Sequence, residues 1–139
     1  MSRYTFITYA HDSLAHERRV LELANRLRAE GVDAQVDQYE PHPPEGWPKW
    51  MEGQFLKAEA ILVIPSEKYL ERYTQKDSKG SGARFEGAIL TSMLSKNGVS
   101  FEKIAVVLLD NNSGRFVPDL LHGCTRYDVS RADRYEQPP

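Results

Sequence analysis

The sequence predicts one α/β domain, a flavodoxin-like three-layer arrangement around a five-stranded parallel sheet of order 2-1-3-4-5. Three observations carry that prediction. Strand-like segments alternate with segments of helical periodicity along the whole chain. The run Ala60 to Ile64 is continuously apolar and short, as in a strand covered on both faces. The length of 139 residues, with 40% apolar and 27% charged, suits a single globular domain with a real core.

The elements follow in order. Tyr4 to Tyr9 is β-branched and aromatic, a first strand. Asp12 or Ser13 is placed to cap a helix from about Ser13 to Glu30. Val20, Leu23, Ala24 and Leu27 fall on one face of it, and Gly31 stops it. Val32 to Asp37 alternates apolar and polar, a second strand. Gln38 to Pro48 carries four prolines and Gly46, which predicts a long loop. Pro48 suits the first turn of a helix reaching about Ala58. After the third strand, Ala60 to Ile64, come a short helix (Glu67 to Tyr73) and a polar stretch. A longer helix is expected from Ala83 to Lys96, then a fourth strand from Lys103 to Leu109. A turn at Asp110 to Gly114, one helical turn at Val117 to Leu121 and a fifth strand, Thr125 to Val129, complete the domain. Right-handed βαβ connections make the sheet parallel.

Composition excludes several function classes. The net charge of −2 gives no nucleic-acid footprint. Apolar stretches are far too short to span a bilayer. A single cysteine, Cys124, forbids an internal disulfide and leans toward a reducing, cytoplasmic setting; it is expected as a small buried hydrophobe. Met1 to Tyr4 runs straight into the first strand, without a signal-peptide pattern. His11, His16, His42 and His122 have no metal-ligand spacing with Cys124. No Walker sequence or Gly-x-Ser-x-Gly elbow occurs, and Gly80-Ser81-Gly82 follows a polar loop rather than a strand. The third strand ends in Pro65-Ser66 rather than the aspartate of a phosphate-accepting receiver.

In open α/β sheets, ligands bind beyond the carboxyl ends of the strands where strand order reverses. That point lies between strands one and three. Its lip is Tyr9 to Asp12 and Pro65-Ser66, flanked by Asp37-Gln38 and the proline-rich loop. Arg84, Phe85 and Glu86 reach the same rim from the helix beginning near Ala83.

Five segments, in order, match one family. Phe6-Ile7-Thr8-Tyr9-Ala10-His11-Asp12 resembles the first signature box of TIR and SEFIR domains. Val36-Asp37-Gln38-Tyr39 with the loop after it resembles the SEFIR second strand and BB loop. Ile61 to Arg72 resembles the third strand and following turn. Gly82-Ala83-Arg84-Phe85-Glu86 resembles the Gly-x-x-aromatic-Glu segment opening the next helix, and Arg115 to Gly123 the segment before the last strand. Thr8 and Ala10 replace the usual serines, and Gly82 to Phe85 lacks the Trp-Cys common in TIR domains. Both departures favour SEFIR over ordinary TIR.

The resemblance implies a SEFIR/TIR-like domain over residues 1–135, with 136–139 opening a linker. It implies NAD⁺ hydrolysis, with NAD⁺ as substrate, no cofactor and no metal, in an effector of the bacterial antiphage kind. Glu86 would be the catalytic carboxylate; Tyr9, His11, Asp37, Trp47 and Ser66 would contact substrate. Partners would be further copies, joined through the 38–48 loop, and a fused or separate sensor. The same resemblance admits a scaffold without chemistry, as in the vertebrate adaptors, and a nucleotide sensor without turnover remains a third class. Each residue also has a structural role open to it. Glu86 suits a helix first turn, Tyr9 a strand end, Trp47 a loop anchor, His11 and Asp37 local caps.

Overall fold

A computed structural model of the chain describes residues 4–10, 13–40, 43–74, 90, 93–94, 100–109 and 113–129. Five parallel strands form one sheet in the order β2-β1-β3-β4-β5, as the sequence predicts. They are β1 (Tyr4–Tyr9), β2 (Asp33–Gln35), β3 (Ala60–Ile64), β4 (Ile104–Leu108) and β5 (Thr125–Asp128). Interior strand β1 aligns Tyr4 with Asp33 of β2 and Tyr9 with Ile64 of β3.

Helix α1 (Leu14–Ala29) starts at Ser13, whose Oγ accepts the His16 N–H at 3.1 Å. Such a cap contributes about 1 kcal/mol. Glu17 in its first turn and Arg26 and Arg28 in its last complement the helix dipole. Gly31 then takes φ +94°, a left-handed conformation that other residues adopt at a cost. Helix α2 (Trp47–Lys57) has proline in its first positions, where the missing N–H is harmless. Helix α3 (Glu67–Thr74) follows β3 directly.

The sheet separates two cores. On one face Ile7 and Tyr9 of β1 pack with Val20, Leu23 and Ala24 of α1. On the other, Phe6 of β1 packs with Trp50, Met51 and Phe55 of α2, Tyr69 of α3, and Leu90, Met93 and Leu94. The alternation of β1 side chains between these clusters is the period of a strand covered on both sides. Phe6 stands edge-on to Phe55 at 5.3 Å and to Trp50 at 5.7 Å between ring centroids.

Several boundaries differ from expectation. The second strand stops at Gln35, not Asp37. The Val36 N–H bonds the Gln35 side-chain oxygen at 3.1 Å, and the Tyr39 N–H then bonds the Val36 carbonyl at 3.0 Å. These local bonds curl Asp37–Tyr39 into a 3-10 turn, so the expected loop opens with a turn of its own. The fourth strand begins one residue later than expected, after a 3-10 turn at Phe101–Lys103 that Ser100 caps. The expected helix from Ala83 to Lys96 lies mostly outside the described residues; Leu90, Met93 and Leu94 within it are helical and buried. Among the described residues no helix is long and apolar enough to cross a membrane.

Candidate functional site

The sheet order reverses between β1 and β3, and the crevice at their carboxyl ends is the candidate site. Tyr9 ends β1. Asp37 follows β2, Ser66 follows β3, and Trp47 opens α2.

Tyr9 and Asp37 are brought into direct contact. The Tyr9 hydroxyl donates to Asp37 Oδ1 at 2.7 Å and accepts from Gln38 Nε2 at 2.9 Å. Gln38 Nε2 also donates to the Glu17 carbonyl of α1 at 2.9 Å. Tyr9 is 1% exposed and Asp37 8%. The tyrosine ring is therefore enclosed, with the His16 ring 6.2 Å away, instead of lying open on the rim. A buried carboxylate needs hydrogen bonds to offset its desolvation, and Tyr9 supplies one.

Gln38, which the sequence placed at the flank of the crevice without assigning it a contact, is the third member of this network. The signal is in the register. Tyr4 pairs with Asp33, an offset of 29, and the same offset carried to Tyr9 lands on Gln38.

Ser66 and Trp47 stand apart from the pair. Ser66 Oγ accepts the Tyr69 N–H at 3.2 Å, an N-cap bond that starts α3. Trp47 is half-buried and stands edge-on to Trp50 at 5.4 Å, with an interplanar angle of 88°. Gly46, just before it, takes φ +89° with open space where a Cβ would stand. His11 and Glu86 lie outside the described residues. Among the described residues no cluster of His, Cys, Asp and Glu is arranged to hold a metal.

Two polar features lie off this network. The Thr8 hydroxyl, on the α2 side of β1, is fully buried without a hydrogen-bond partner among the described residues. Cys124, at the amino end of β5, is half-buried, and burial pushes its thiol above its ordinary pKa. A cavity of about 680 Å³ lies on the α1 face of the sheet, lined by Thr5, Leu23, Leu27, Val107, Tyr127 and Val129. None of the crevice residues lines it.

Comparison with known proteins decides the family. The SEFIR domain profile matches residues 3–134. The chain belongs to the SEFIR domain family. That places it in the TIR-like superfamily, in agreement with the five-stranded sheet and its order. The structure resembles a crystal structure of a prokaryotic SEFIR domain with a TM-score of 0.77 and 26% identity, covering 96% of this chain and 88% of that one. It also shares its fold with the SEFIR domain of IL-17 receptor B, at a TM-score of 0.53 and 12% identity, covering 96% and 93% of the two chains. No curated protein sequence matches it significantly.

Proposed function

We propose that this SEFIR domain is an NAD⁺ glycohydrolase that becomes active when copies assemble, working as an effector in bacterial antiphage defence. The observation that supports this reading is the crevice at the β1/β3 reversal of a TIR-like sheet. Tyr9 ends β1 in contact with Asp37, Ser66 follows β3, and Trp47 opens α2.

The chemistry asks little of the protein. Glycoside hydrolysis generally uses two carboxyl groups, one to protonate the leaving group. Nicotinamide in NAD⁺ is cationic at its ring nitrogen and leaves neutral, so no general acid is required. One carboxylate that holds the ribose and faces the oxocarbenium-like centre suffices. Glu86 is proposed for that role. His11, Asp37 and Ser66 are proposed along the ribose and phosphates, with Trp47 beside one flat ring and Tyr9 beside the other once its bonds to Asp37 and Gln38 are released. Water attack gives ADP-ribose; attack by an adenine nitrogen gives a cyclic product. NAD⁺ is the substrate, and the reaction needs no further cofactor. Further copies would dock through the 38–48 loop, under control of a fused or separate sensor, in the cytoplasm.

A second reading is a homotypic scaffold without chemistry. It draws on a specific observation: the polar groups of Tyr9, Asp37 and Gln38 bond one another and α1, work that needs no ligand.

NAD⁺ consumption with product identification separates the two. The protein is assayed at high concentration with a crowding agent, as wild type and Glu86→Ala. Under the first reading the variant stays folded and loses about 10²-fold or more of nicotinamide release. Turnover that survives the substitution refutes Glu86 as the catalytic group. No turnover in any assembled state leaves the scaffold.

A further inference from the structure

We infer that Tyr9, Asp37 and Gln38 are positioning residues that fix the segment Asp37–Glu40 against the end of β1, and so set where the chain after β2 departs from the sheet. The inference deepens the reading given above, since it rests on that chain being the contact surface between copies.

The bonds converge from three directions. From β1, the Tyr9 hydroxyl donates to Asp37 and accepts from Gln38. From α1, the Glu17 carbonyl takes a second Gln38 N–H, and Asn25 Oδ1 accepts the Tyr39 hydroxyl at 2.6 Å. Arg28, also on α1, lies 3.8 Å over the Tyr39 ring and donates from Nε to the Ala34 carbonyl at 2.7 Å. Each of residues 37, 38 and 39 is thus tied by its side chain to a helix or strand that is itself packed in the core.

These bonds hold a segment that leaves a strand only three residues long. Backbone pairing with β1 ends at Gln35, so the ladder cannot hold Asp37–Glu40. Side chains do it instead. The Tyr9 hydroxyl is the hub, because it touches both Asp37 and Gln38, and burial keeps water from replacing its bond to Asp37. The far root of the same loop is held separately. Trp47 leans on Trp50, which leans on Phe6. Phe6 and Tyr9 face opposite sides of the sheet, so β1 anchors both ends of the loop, one from each face.

The test reads the anchor directly and needs neither substrate nor assembly. The Tyr39 and Glu40 amides donate to the Val36 and Asp37 carbonyls at 3.0 and 2.9 Å, so both should resist hydrogen exchange. In dilute protein, Tyr9→Phe should speed exchange at these two amides about tenfold while core amides of β1 and β3 keep their rates. Gln38→Ala, at an exposed side chain, guards against a Tyr9 variant that fails to fold and should act in the same direction. Asp37→Asn keeps an oxygen acceptor and should retain most of the protection. Unchanged exchange in both Tyr9→Phe and Gln38→Ala overturns the inference, as does acceleration spread evenly over the core. Sedimentation of the same variants at high concentration tests the reading beneath it. Weaker self-association is expected. Faster exchange with unaltered self-association would keep the anchor and remove the loop from the contact.

Discussion

Replacing Trp50 by alanine should both destabilise the domain and free Trp47, and the two effects are measurable together. Trp50 is 7% exposed and stands edge-on to Phe6 at 5.7 Å and to Trp47 at 5.4 Å. Truncating a buried tryptophan costs about 3–5 kcal/mol. Each edge-on ring contact contributes about 0.5–1.5 kcal/mol beyond burial. Trp50→Ala should therefore lower unfolding free energy by about 4 kcal/mol, a large share of the roughly 5–15 kcal/mol typical of a domain. Trp50→Leu keeps aliphatic volume and loses the two ring contacts, so about 1–3 kcal/mol is expected.

The chain has two tryptophans, so either variant leaves Trp47 as the sole indole emitter. Urea unfolding followed by fluorescence gives the free energy from the transition. The native baseline gives the surroundings of Trp47, whose emission should shift to the red as its packing partner goes. A loss below about 1 kcal/mol in Trp50→Ala, far under the usual cost of such a truncation, would refute the argument. A Trp47 spectrum unmoved in both variants would show that the second root of the loop is held by something other than this stack.

Two further predictions follow from polar groups in apolar places. Thr8 buries a hydroxyl with no hydrogen-bond partner among the described residues, and an unsatisfied buried group costs about 1–3 kcal/mol, so Thr8→Val should raise the urea midpoint; a loss of stability would mean that the hydroxyl is bonded. Burial raises the Cys124 pKa, and only the thiolate reacts, so iodoacetamide labelling of the folded protein should have its pH midpoint above that of the urea-unfolded chain; a midpoint at or below it would refute the shift. The same direction means that folding gains from the protonated thiol at neutral pH, and that this gain fades as pH rises past the unfolded value and through the higher folded one.

Most of the fold was legible because its signals are local. The limits of β3 coincide with a continuous apolar run, and Ser13 caps α1 because a short hydroxyl side chain there reaches a helix N–H. The second strand was drawn too long. Alternation from Val32 to Asp37 satisfies a strand pattern, yet the Gln35 side chain takes the Val36 N–H and the backbone curls. Nothing in the pattern of apolar positions records which acceptor a backbone N–H will choose. Around the crevice, positions along the chain were more legible than contacts between side chains. Tyr9 and Ser66 were expected at and just after the ends of the first and third strands, and they are there; Asp37, expected to end the second strand, stands in the 3-10 turn after it, and Trp47, expected in the loop, opens α2. That Tyr9 bonds Asp37, while Ser66 caps α3, depends on side-chain reach across neighbouring strands, which only the register supplies.

That arrangement constrains any chemistry proposed for the crevice. A tyrosine that is 1% exposed offers no ring face to a nicotinamide, and an aspartate bonded to its hydroxyl has one oxygen already engaged. Tyr9 therefore cannot serve as anchor and as ring platform in the same conformation. For it to meet substrate, the Asp37 and Gln38 bonds must break, each contributing on the order of 1 kcal/mol. A neighbouring copy that bound the released form more tightly would supply that difference, and turnover would then depend steeply on assembly. If the anchor instead persists during turnover, Tyr9 and Asp37 act only through the loop they hold. Tyr9→Phe would then change the concentration at which activity appears and leave the rate of the assembled enzyme unaltered. A lower rate at saturating assembly would place the tyrosine hydroxyl in the reaction itself.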